Sequence, residues 1–134
     1  MTIKVESLRG ITEDTAAKLN ARGIKDSEGF LAACRTVADR KALASELGID
    51  PKAVLELANR ADLARIKGVA AVRGDLLEEI GVDTVKELAQ RNAQNLHARI
   101  VQIHEERKTA FMPTLEEVTD WIAQAKELPR ALEY

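Results

Sequence analysis

This chain of 134 residues predicts an all-α fold, a compact bundle of about eight short helices, and three observations carry that reading. Aromatic residues make up only 3% of the sequence while Ala, Leu, Glu, Arg and Lys dominate it, so helix formers are abundant and strand formers scarce. The β-branched residues fall mostly singly and at helical spacing, not in alternating runs. Capping residues precede the apolar stretches, and glycines follow them.

The elements follow in order. Thr12 can cap a first helix over about 12–22, and Gly23 closes it. A second helix is expected at about 26–34 and a third at about 36–47, ended by Gly48. Asp50-Pro51 sets a capping side chain before a proline at the first helical position, where a missing N–H costs nothing, and opens a helix over about 51–65. The fifth, about 70–80, stops at Gly81. Thr84-x-x-Glu87 fits a capping box and starts a sixth at about 84–91. A seventh covers about 94–108, and a second capping box, Thr114-x-x-Glu117, opens the eighth at about 114–128. Leu115, Val118, Ile122, Ala125 and Leu128 line one face of this last helix with Trp121 on its flank, so the tryptophan reads as a core anchor. Between the last two helices the segment 105–113 passes from charged to apolar. Phe111 and Met112 are expected to tuck into the core; displayed, they would form a small adhesive patch.

The same composition bounds the function. Residues 1–134 read as a single domain. Cys34 is the single cysteine, which excludes an intramolecular disulfide and a cysteine-based zinc cluster and suits a reducing cytoplasm. Apolar runs such as 68–72 fall far short of the roughly 20 residues that span a bilayer. Glu6 stands where a secretion signal would need an apolar core, so a cytoplasmic protein without a membrane partner is expected. A net charge of −2 excludes a strongly basic nucleic-acid coat and leaves a local basic patch to look for.

Catalysis is not expected. No Gly-rich nucleotide loop is present. Neighbouring carboxylates such as Glu78-Glu79 point about 100° apart on a helix, as solvated charges do. His97 and His104 share a helix face but stand roughly 10 Å apart along it at 1.5 Å per residue, too far for one metal ion. Cys34 reads as a buried, inert thiol despite its neighbour Arg35. Catalytic residues, metal and cofactor are all expected to be absent.

The chain also repeats itself. At an offset of 58 residues Leu8-Arg9-Gly10-Ile11 falls on Ile66-Lys67-Gly68-Val69, Leu19 on Leu77, and Gly23-Ile24 on Gly81-Val82. Ala16 meets Gly74, Val5 meets Leu63, and Phe30 meets Leu88. At an offset of 64, Val54, Leu57, Ala58 and Ala61 meet Val118, Trp121, Ile122 and Ala125. Duplication is the economical reading, with repeat one over about 3–50, repeat two over about 61–108, and a C-terminal helix at 114–128. Hairpin one lacks most of its first helix, so the C-terminal helix is expected to dock beside residues 3–8 and bring Val5 or Leu8 near Trp121.

The repeated unit, a glycine turn between two helices, resembles the helix-hairpin-helix motif. In that family backbone N–H groups at the second helix's N-terminus hold a nucleic-acid phosphate without reading sequence, which the unpaired donors and partial positive charge of a helix start allow. The wider chain is similar to an uncharacterised bacterial family of small helical proteins with two such elements, a domain of unknown function. The residues carrying that likeness are Asn59 to Val69, Gly81 to Leu88 and Asp120 to Pro129. The sequence departs from the motif at its second glycine, which is Thr12 in the first copy and Ala70 in the second. Either side chain crowds a closely held phosphate.

Charge separates the copies. Residues 60–74 hold Arg60, Arg65, Lys67 and Arg73 against Asp62; residues 2–16 hold Lys4 and Arg9 against Glu6, Glu13 and Asp14. Two readings follow for a non-catalytic binding module. In one, the second hairpin binds duplex DNA weakly and without sequence preference through Arg65, Lys67, Gly68, Ala70 and Arg73. In the other, both hairpins are structural and the protein meets a protein partner. The aromatics Phe30, Phe111, Trp121 and Tyr134 lie far from Lys67 in the chain, so no stacking platform for single strands is expected there.

Overall fold

Helices begin where the sequence supplies a side chain for the first free N–H groups. The computed structural model describes residues 2–69, 71–108 and 112–134, with backbone alone over 71–75. A 3-10 turn, Val5–Ser7, precedes α1 (Glu13–Ala21), α2 (Ser27–Ala33), α3 (Val37–Leu47) and α4 (Pro51–Leu63). Then come α5 (Ala71–Ile80), α6 (Val85–Ala89), α7 (Ala93–Arg107) and α8 (Leu115–Glu127). No strand occurs among the described residues, where extended pairing is limited to a Lys4–Asp26 bridge.

Thr12, Asp50 and Thr114 cap α1, α4 and α8, and Thr114 with Glu117 closes a full capping box. Thr84 caps α6 one-sidedly, because the Glu87 carboxylate reaches back to the N–H of Asp83 at 3.5 Å. Thr36 and Asp39 form a further capping box that the Thr-x-x-Glu pattern does not anticipate, the shorter carboxylate serving as well. Helix α4 stops at Leu63 instead of running to 65, because Ala64 and Arg65 already belong to the turn that leads to Gly68.

Burial divides into two cores. Val5, Leu8, Leu19, Phe30, Leu43 and Leu47 form the first with Val54, Leu57, Ala58 and Ala61 of α4. Leu63, Ile66, Leu77, Leu88 and Ile100 form the second with Val118, Trp121, Ile122 and Ala125 of α8. Helix α4 packs on α2 and α3, while α8 packs on α6 and α7. This corrects the expected docking of 115–128 beside the N-terminal segment: Leu8 and Trp121 lie in different cores. The helix that follows each glycine turn in sequence covers it, so α4 already closes the first core and leaves α8 to the second.

The offset of 58 continues into geometry. Gly10 and Gly68 have φ of +88° and +96°, and Gly23 and Gly81 +82° and +99°. The N–H of Ile11 donates to Leu8 O at 3.2 Å, and that of Val69 to Ile66 O at 3.1 Å. Ile24 to Leu19 O and Val82 to Leu77 O are both 2.9 Å. One buried donor is satisfied differently. The N–H of Ser27 donates to Ile3 O at 2.7 Å, whereas its counterpart Val85 donates to the Asp62 carboxylate at 2.9 Å. Residues 3–4 are extended and offer a free carbonyl, while α4 has its carbonyls occupied and supplies a side chain instead.

Past α8 the chain crosses back to the first core, where Leu132 is buried. Glu133 donates to Arg35 O at 2.8 Å, and its carbonyl accepts from the buried Arg40 at 2.7 Å. Tyr134 Oη donates to Asn59 at 2.9 Å. The fold is therefore closed on itself by residues 131–134.

Candidate functional site

The turn joining α4 to α5 carries the basic residues that the sequence singles out. Gly68, in the left-handed region, and Lys67 sit exposed at its tip. Their backbone is held from α8: Lys67 N–H donates to Gln124 Oε1 at 2.7 Å, and Gln124 Nε2 donates to Lys67 O at 3.0 Å. The Gly10 turn is gripped at the equivalent point, where Arg60 of α4 donates to Arg9 O. Arg9 and Lys67 are related by the offset of 58, and Arg60 and Gln124 by 64. A Cβ on Gly10 would meet the Arg60 guanidinium, so both φ and space require glycine there. Arg60 also donates to Glu78 at 3.0 Å and so ties the Gly10 turn to α5.

Arg65 leaves this turn. Its Nε and Nη2 donate to Asp62 Oδ1 at 3.1 and 2.7 Å, and its Nη1 to Pro129 O at 2.8 Å. Asp62, 5% exposed, thus has one carboxylate oxygen on Arg65 and the other on the Val85 N–H. Ala70 and the side chain of Arg73 lie outside the described residues, as does Phe111. The structure therefore brings Lys67 and Gly68 together at an exposed turn and draws Arg65 away from them.

Where Arg65 points, a cleft of about 380 Å³ opens between α6, the end of α8 and the C-terminal segment. Val85, Ala89, Leu128 and Leu132 contribute apolar walls, and Lys86, Lys126 and Arg130 join Arg65 as cations. Among the described residues Asp62 is the one side-chain carboxylate lining it. Charge counting along the chain misses this place because its residues come from three separated segments. The one local signal was the Asp62-x-x-Arg65 spacing, which brings the pair together across the end of α4, where Arg65 begins the turn.

The other candidates are spoken for. Cys34 is fully buried, and burial pushes its thiol up to about 12, with Arg40 lowering and Asp39 raising it less. His97 Nε2 lies 3.1 Å from Pro113 O, and Met112 packs against the second core. Asp83 has its carboxyl raised by burial, then by Glu87 and Glu78. Among the described residues no helix is long and apolar enough to cross a membrane, and no metal-binding group of His, Cys, Asp or Glu occurs.

Compared with known proteins, residues 9–128 match the family model of a domain of unknown function, DUF4332. No curated protein and no solved structure matches.

Proposed function

The chain belongs to the DUF4332 family, a domain of unknown function, and from that premise we propose a non-catalytic binding module that meets a protein partner. In this reading the two glycine turns are duplicated helix-hairpin-helix elements that serve the fold, and the protein works in the cytoplasm. The observation that carries it is the matched grip on both turns, Arg60 on Arg9 O and Gln124 on the Lys67 peptide. The grip occupies the Arg9 and Lys67 carbonyls and the Lys67 N–H, so both turns are held from within the molecule by the helix that packs over them. Arg65 is likewise held by Asp62 and Pro129 O.

A second reading, weak DNA-backbone binding by hairpin two, is favoured by its excess of basic residues and by the exposed Lys67. Titration of a labelled DNA duplex at two salt concentrations separates the two. Two to four phosphate contacts give a log–log salt slope of about −2 to −4 by counterion release. The protein-partner reading expects no binding at low salt. A slope in that range, lost on Lys67→Glu, would overturn it.

A further inference from the structure

Resting on the reading of a protein-binding module, we infer that the cleft between α6, the end of α8 and the C-terminal segment receives an extended, acidic and apolar peptide segment of the partner. Three observations point to that occupant. The first is charge: Lys86 and Lys126 line the cleft without an ion pair among the described residues. The lining carboxylate, Asp62, already has both oxygens engaged by Arg65 and the Val85 N–H. A cleft with unpaired cations and a neutralised acid attracts carboxylates.

The second is shape and polarity. A volume of about 380 Å³, at the small end of the roughly 300–1,000 Å³ of small-ligand pockets, holds one or two side chains, and walls such as Ala89 and Leu128 suit an aliphatic one set between acidic neighbours. The third is the backbone of the C-terminal segment. Among the described residues the N–H groups of Arg130, Ala131 and Leu132 make no hydrogen bond, although Leu132 is buried and the segment is anchored on both sides by Arg65 at Pro129 O and by Arg35 at Glu133 N. A fixed, irregular stretch of this kind offers open N–H donors to an extended chain laid along the groove, although the Leu132 carbonyl is already taken by Arg130 Nε. A small anion would use the cations alone, and duplex DNA has no use for the apolar walls.

Panning a displayed library of random nonapeptides on the full chain tests this, with the doubly reversed variant Lys86→Glu, Lys126→Glu as counter-selection. Both lysines are exposed, so the variant should fold, as a thermal melt will check. The wild type should enrich sequences in which Asp or Glu flank Leu, Ile or Val. Their synthetic forms should lose roughly tenfold or more in affinity on the variant, and weaken with salt. In amide spectra the bound peptide should shift residues 85–89 and 125–132 and leave 66–68 in place. Failure to enrich any sequence, equal binding to the variant, or shifts confined to the Lys67 turn would each overturn the inference. None of these outcomes bears on the duplex titration, so the cleft and the protein-partner reading can fail separately.

Discussion

Cys34 shows how far one buried side chain couples to solution conditions. Its thiol is neutral in both folded and unfolded chains below the ordinary value of 9.0; above that the unfolded chain ionises first, since burial holds the folded thiol near 12. The stability it contributes is therefore complete below pH 9.0 and is lost as pH rises toward 12. In urea melts the advantage of wild type over Cys34→Ala should shrink as pH rises above 9.0, by up to about 1.4 kcal/mol per pH unit. In native protein the thiol should resist alkylation at neutral pH and react once unfolded. Leu19 and Leu77, related by the offset of 58, are both 0% exposed. Truncating either to alanine should cost about 2–5 kcal/mol in chemical denaturation, from lost transfer energy and a residual cavity. The sequence makes these two legible because spacing from a turn glycine fixes which side chain faces inward. It leaves Arg65 illegible, since its basic character carries no hint that Asp62 and the Pro129 carbonyl would claim it.

At the level of helices, caps and glycine turns identify α1, α3, α4, α5, α6 and α8, while the caps of α2 and α7, Asp26 and Asn92, and the packing partner of each helix are harder to read. Val54, Leu57, Ala58 and Ala61 have the same spacing as Val118, Trp121, Ile122 and Ala125, so the pattern states that α4 and α8 each cover a hairpin without stating which. Connection length decides: α4 reaches the first core directly from α3, and pairing it elsewhere would leave that core open. The grip of each covering helix on its turn is testable at Gln124. Gln124→Ala removes both bonds to the Lys67 peptide and should cost about 1 kcal/mol, since exposed hydrogen bonds contribute little net. Hydrogen exchange at the Lys67 amide should accelerate in that variant while the α8 amides keep their protection. Unchanged exchange at Lys67 would show that the turn holds itself.

For the molecule as a whole, the C-terminal segment is what joins the ends of the fold, and periodicity could not announce it because residues 129–134 follow no helical or alternating pattern. Leu132 fills the first core although it follows a helix of the second. Leu132→Ala should cost about 2–3 kcal/mol, and exchange protection should fall first around Cys34 and Arg40, whose carbonyl and guanidinium the segment helps to order. Loss confined to α8 would contradict that placement.

The positions of two side chains give this architecture its own optical labels. The single tryptophan, Trp121, is sealed in the second core, and the single tyrosine, Tyr134, ends the crossing segment with its hydroxyl on Asn59 of α4. Indole emission therefore reports the state of one core alone, and phenol absorbance reports whether the C-terminal segment is seated. The far-ultraviolet signal sums all the described helices, so helicity lost while indole emission is unchanged marks the opening of the first core. Read during one melt without any added dye, the indole and phenol signals thus single out the second core and the C-terminal segment against the summed helicity of the described residues.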